Sequence, residues 1–274
     1  MNLPAFQTLF ALGFLLLLLS IPLGWAIWRA RRDGLTLVQS MFWRLAWLMV
    51  KFQWRATLPG KLPIPDGQGA IIVSNHRSSV DPFFIQVSTR RKVHYMVARE
   101  YCVHPAFGPF LRTCEVIPVG RGGVDTAATK MAIRLAASGE MVGMFPEGRI
   151  NMTDELLLPG RPGVALIALK ARVPILPCYI EGSPYNGTAW SPFLMRARVK
   201  VKFGQLIDIS EYYGREQEPG VHAEIMRRCM KAVAELAGQP DFEPKLAGRN
   251  WKPTTEQIEA DMASSEANRR RDPV

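Results

Sequence analysis

From residue 69 to residue 237, short apolar runs alternate with helix-patterned stretches, and that alternation leaves this chain few folds to choose from. Runs at 70–74, 93–98, 116–119, 141–145, 175–180 and 199–203 have the length and apolar character of buried strands. Between and after them, 82–89, 125–138, 163–171 and 221–237 carry helical patterning. Strand-helix alternation predicts an α/β fold with a mostly parallel central sheet flanked by helices. Sites in such sheets gather beyond the carboxyl ends of the strands. His76 and Glu147 each come just after an expected strand, so one cleft can hold both.

The N-terminal part reads differently. Residues 5–28 carry no charged side chain and include the leucine run 15–19, long enough to span a hydrocarbon layer of about 30 Å. A cleaved signal peptide fits poorly, because no basic residue precedes the apolar stretch. Arg29, Arg31 and Arg32 follow it, which predicts the rest of the chain on the cytoplasmic side. Pro22 and Gly24 keep a hairpin confined to one leaflet open as the alternative. Residues 36–55 predict a second membrane-related helix, with Ser40, Arg44, Lys51 and Arg55 on one polar stripe among Phe42, Trp43, Trp47, Leu48, Phe52 and Trp54. The expected architecture is therefore a membrane-associated helical pair over 1–58, a globular domain over 59–240 and a tail over 241–274. Pro59, Gly60, Pro63, Pro65, Gly67 and Gly69 mark the linker, and an ordered return near Phe242 and Trp251 is expected in the tail.

A net charge of +10 attracts anions: nucleic acid, lipid headgroups or phosphorylated substrates. Zinc-finger spacing, RNA-recognition aromatics and a heptad-bearing basic region are all missing, so nucleic acid is not expected as a partner. Cys102, Cys114, Cys178 and Cys229 are scattered without a C-x-x-C pair and read as free thiols.

The candidate chemistry sits in Ser74-Asn75-His76-Arg77-Ser78-Ser79-Val80-Asp81-Pro82. On one continuous helix His76 and Asp81 would point about 140° apart. They meet only if His76 lies in the turn after the strand and Asp81 in the following helix, where Pro82 suits a helix start. A carboxylate that fixes an imidazole in one tautomer makes a general base for a hydroxyl. A surface histidine beside a helix cap is the plain alternative.

Three further segments separate the two. Arg99-Glu100 with Pro105, Gly108 and 117–121 form a second block, Phe145-Pro146-Glu147-Gly148-Arg149 a third, and Val173-Pro174-Ile175-Leu176-Pro177 a fourth. With His76 and Asp81 as the first, these ordered blocks make residues 70–205 resemble the glycerolipid acyltransferase family, typified by 1-acylglycerol-3-phosphate acyltransferase. The third block, extended through Ile150-Asn151-Met152, also resembles tafazzin-type phospholipid transacylases. Arg99 stands where many members have Lys, and Arg149 follows Gly148 where Thr often intervenes.

The resemblance implies acyl transfer from acyl-CoA or acyl-carrier protein to a lysophospholipid hydroxyl at a membrane, with His76 and Asp81 catalytic and no metal. It implies an acceptor site lined by Glu147, Gly148 and Arg149, with Arg121 and Arg99 as further phosphate contacts. Residue types agree: Arg offers phosphate a planar donor fork, and Gly lets a backbone approach a ligand closely. A transacylase without a thioester donor and a non-catalytic membrane lipid-binding protein are the alternatives. Ser78 and Ser79 lack a nucleophile elbow and read as helix-capping hydroxyls; His94, His104 and His222 lack metal-ligand spacing.

Overall fold

The protein is described by a computed structural model over residues 34–60, 62–120 and 125–248, together with Gly24, Trp28 and Ala30. Chain packing divides it into two units, 1–45 and 46–274. The expected apolar span at 5–28 lies outside the described residues apart from Gly24 and Trp28. Among the described residues no helix is long and apolar enough to cross a membrane.

Helix α1 (Leu37–Leu48) runs into a π-helical turn, Met49–Gln53. Of the expected polar stripe, Lys51 and Arg55 are exposed and Arg44 is half-buried. Ser40 is buried, whereas Val38, Met41, Leu45, Leu48 and Phe52, three to four positions apart, are exposed. The uncovered face of this helix is the apolar one.

The second unit contains the sheet. In chain order follow β1 (Ala70–Ser74), α2 (Asp81–Thr89), β2 (Val93–Ala98), α3 (Arg99–Val103), α4 (Gly108–Thr113), β3 (Ile117–Val119), α5 (Thr126–Ala137), β4 (Met141–Met144), α6 (Gly163–Ala171), β5 (Ile175–Glu181), β6 (Lys200–Phe203) and α7 (Val221–Leu236). The six strands lie in the order β3-β2-β4-β1-β5-β6, parallel except for the antiparallel edge strand β6. Helices α3 and α4 are the elements that periodicity did not predict; at five and six residues they are too short to display one.

Alternation along the strands sorts the core into two layers. Ile71 and Val73 of β1 face a cluster with Ala128, Ala132 and Ala136 of α5, Ile167 of α6 and Ile225 and Met230 of α7. Ala70 and Ile72 face the other layer, with Phe84 and Ile85 of α2 and Trp54. Every residue of β1 is buried, as a strand covered on both faces requires. Trp54 is fully buried, its ring 5.3 Å from that of Phe84 and its Nε1 donating to the Pro192 carbonyl at 3.0 Å. The stretch after the π-turn pairs with the chain entering β6: Val199 N–H donates to the Trp54 carbonyl at 3.2 Å and Thr57 N–H to that of Val199 at 2.8 Å. Phe242 of the tail packs on the core, whereas Trp251 lies outside the described residues.

Candidate active site

Register places the site. β1 and β4 are parallel neighbours with Val73 opposite Met144, so the chains leave the sheet side by side. Three residues beyond each of those partners stand His76 and Glu147. The Glu147 carboxylate is fully buried and accepts the backbone N–H of His76 at 2.8 Å and that of Leu158 at 2.9 Å. Burial pushes its pKa up to about 7, against the opposing pull of those two amides. Glu147 therefore does not present its side chain to a cleft; it ties the two loops together from beneath.

His76 sits in the turn after β1 and Asp81 opens α2, the arrangement their spacing demands. Nδ1 of His76 lies 3.0 Å from Oδ2 of Asp81. The same oxygen accepts the N–H groups of Arg77 at 2.7 Å and Ser78 at 2.8 Å, and Oδ1 accepts Ser183 Oγ at 2.5 Å. An acceptor held by this many donors requires a proton on Nδ1, which leaves Nε2 with its lone pair. The Phe145 ring stacks on the imidazole, 4.0 Å between centroids and 13° from parallel. With Nδ1 engaged and one ring face covered, the 16% of the His76 side chain that stays exposed is what a substrate can reach.

The remaining polar groups hold loops. Asn75 is buried and exchanges two 2.8 Å hydrogen bonds with the backbone of Ile180, fastening the turn to β5. Arg77 donates to the carbonyls of Asn151, Thr153 and Glu155, and Asn151 N–H donates to the His76 carbonyl at 2.7 Å. Ser78 and Ser79 do not cap α2, whose N-cap is Val80; their hydroxyls donate to the carbonyls of Pro184 at 2.6 Å and Ala189 at 2.9 Å.

The predicted acceptor residues divide. Gly148 adopts φ +70°, a conformation glycine takes without strain, and a Cβ there would come within 2.9 Å of the Arg161 guanidinium carbon. Arg149 follows in the same turn, and its charge, after desolvation, helps hold Arg161 below the usual guanidinium pKa. Arg99 is half-exposed and pairs with Asp125 at 3.1 Å, whose carboxylate caps α5 and accepts Gly120 N–H at 2.9 Å. The Ala128 and Gly120 amides, with Arg99, hold Asp125 below the usual carboxylate range. Arg121 lies outside the described residues. All four cysteines are free, and among the described residues no group of three or more His, Cys, Asp or Glu side chains gathers as a metal site.

Ser183, Asn75 and Arg77 were not singled out by sequence. Asn75 is a polar residue directly behind an apolar run, a signal that was there to read. Ser183 lies 102 positions from Asp81, and nothing local announces it.

A histidine–carboxylate pair thus sits just past the carboxyl ends of parallel strands, where such sheets gather their sites. The model of the family described as Acyltransferase matches residues 55–181, so this chain carries an acyltransferase domain. It is 26% identical over 150 residues to the 1-acyl-sn-glycerol-3-phosphate acyltransferase of Bacillus subtilis, covering 54% of this chain and 72% of the relative. Tafazzin of Drosophila melanogaster is 30% identical over 196 residues, covering 65% of this chain and about half (52%) of that protein. The crystal structure of the 1-acyl-sn-glycerophosphate (LPA) acyltransferase PlsC from Thermotoga maritima shares the fold. Its TM-score is 0.58 at 20% identity, over 78% of this chain and 88% of that one.

Proposed function

We propose that this protein transfers a fatty acyl chain from a thioester, acyl-CoA or acyl-carrier protein, to the free hydroxyl of a lysophospholipid, with 1-acylglycerol-3-phosphate as acceptor and phosphatidic acid as product. The 3.0 Å His76–Asp81 pair in an acyltransferase domain carries the reading. His76 Nε2 takes the hydroxyl proton while Asp81 offsets the charge left on the ring. The oxygen attacks the thioester carbonyl, the C–S bond breaks, and the departing sulfur takes the proton back from the imidazolium. Arg149 holds the acceptor phosphate, with Arg121 and Arg99 as further cations facing it. The reaction runs at the cytoplasmic face of a membrane, with residues 1–58 as anchor, 59–240 catalytic and 241–274 as tail. The similarity to acylglycerol-phosphate acyltransferases supports the choice of acceptor.

Purified full-length protein given acyl-CoA and lysophosphatidic acid should yield phosphatidic acid, and His76→Ala should reduce the rate by roughly 10²–10⁴-fold with folding preserved. An active His76→Ala enzyme removes the general-base assignment. Arg149→Ala should raise the acceptor Michaelis constant and leave that of the thioester near its starting value; equal changes in both overturn the phosphate contact. The tafazzin similarity favours one second reading, phospholipid-to-lysophospholipid transfer. Product formed from those two lipids with no thioester present would establish it.

A further inference from the structure

One surface of the catalytic unit is far more apolar than contact with water favours. In the segment after β5, Leu194 is 90% exposed and Trp190 53%. Trp190 stacks on Phe107 at 4.3 Å, and Phe107 meets Tyr101 edge-on at 6.2 Å, which connects the segment to α3 with its exposed Tyr101 and Val103. On the other flank, Gln53 Nε2 donates to the carbonyls of Phe193 at 2.5 Å and Met195 at 3.3 Å. That bond brings in the helix end carrying Phe52, which is 70% exposed, and Leu48.

Cations stand directly behind this apolar edge. Arg196, Arg198 and Lys200 are exposed at alternate positions while Val199 between them is buried, so all three share one face of an extended chain. Lys51, exposed, precedes Phe52. The base of the segment is the catalytic motif itself. Ser183 donates to Asp81, Ser78 to the Pro184 carbonyl and Ser79 to the Ala189 carbonyl.

We propose that this face is a membrane contact of the catalytic unit in its own right. Trp190 and Leu194 enter the headgroup boundary of an anionic bilayer, and Arg196, Arg198, Lys200 and Lys51 meet lipid phosphates. The order of apolar tip, tryptophan and cations repeats the layering of a bilayer surface. An acidic protein would satisfy the cations and leave Leu194 in water. Because the segment is hydrogen-bonded to the His76–Asp81 turn, docking sets the distance of Nε2 from the lipid surface. Only the turnover arm of the test rests on the proposed lipid acceptor.

Full-length Leu194→Cys protein in a Cys114→Ser background, labelled with nitrobenzoxadiazole, is reconstituted in phosphatidylglycerol–phosphatidylcholine vesicles. Blue-shifted emission and quenching by spin-labelled lipid are expected; emission as in water without quenching overturns the proposal. Trp190→Asp with Leu194→Asp should reduce turnover of vesicle-embedded acceptor by roughly tenfold or more while turnover of a monomeric short-chain acceptor holds. Equal loss on both overturns it. Arg196→Glu with Arg198→Glu should abolish the dependence of rate on phosphatidylglycerol, and a dependence that persists removes the headgroup contact. A quenched probe with no turnover of any acceptor sinks the acyl-transfer reading and upholds the membrane contact.

Discussion

Glu147 accepts the backbone N–H of His76 at 2.8 Å, so the residue proposed as general base is positioned by a buried carboxylate from the neighbouring strand's loop. Burial raises that carboxyl from 4.5 to about 7. In the window between those values the folded protein holds a proton that the unfolded chain has released. Stability from this group is therefore fully present below pH about 4.5 and is lost as pH rises to about 7, on the order of 3 kcal/mol in all. Glu147→Gln should remove this slope from denaturant unfolding measured between those pH values. The variant also points an amide N–H at one of the two backbone donors, at a cost of roughly 1–3 kcal/mol. An unchanged pH slope in Glu147→Gln would refute the assignment.

Asp81→Asn separates charge from geometry. The amide oxygen can still accept the Arg77 and Ser78 N–H groups, and Ser183 Oγ can turn to accept from the amide nitrogen. What disappears is the negative charge beside Nδ1. Turnover should fall roughly 10²–10⁴-fold with the unfolding midpoint little moved. A variant that loses stability in proportion to activity would make Asp81 a structural residue only.

Ser183→Ala deletes the hydroxyl that donates to Oδ1 of Asp81. A buried carboxylate that loses a hydrogen bond costs roughly 1.5–3 kcal/mol. With Oδ1 released, the carboxylate is free to turn away from Nδ1, so kcat should fall several-fold while the acceptor Michaelis constant holds. Ser183→Thr, which keeps the hydroxyl, should restore kcat; failure of Thr to do so would mean that the site responds to packing.

Most strands and long helices were legible because their apolar runs are bounded by Gly, Pro and charged residues, and a fully buried parallel strand such as β1 has nothing polar to blur it. The His76–Asp81 meeting was legible too, since five residues across a strand-helix turn permit it and five within a helix forbid it. The adjacency of β1 and β4 was not. Which strands neighbour each other is set by packing over the whole sheet, so the role of Glu147 as a buried brace could not be read from a Pro-Glu-Gly turn. Ser183 and the stacking of Phe145 on His76 stayed hidden for the same reason. The apolar face of α1 is exposed at Val38, Met41 and Leu45, a point periodicity leaves open because it gives the faces of a helix without saying which one is covered.

Gly148→Ala tests whether the turn between Glu147 and Arg149 has room for anything but glycine. At φ +70° an alanine costs on the order of 1–2 kcal/mol in backbone strain alone. Its methyl would also press on the Arg161 guanidinium, whose carbon lies 2.9 Å from the Cβ position. Arg161 can yield because it is a long side chain, so the fold should survive with a lowered midpoint. The displaced guanidinium and the altered turn should move Arg149 as well. Acceptor Michaelis constant should rise several-fold, more than that for the thioester, in steady-state assays with each substrate varied. If Gly148→Ala shifts the thioester constant instead, this turn belongs to the donor's side of the site, and the assignment of Arg149 to the acceptor phosphate falls with it.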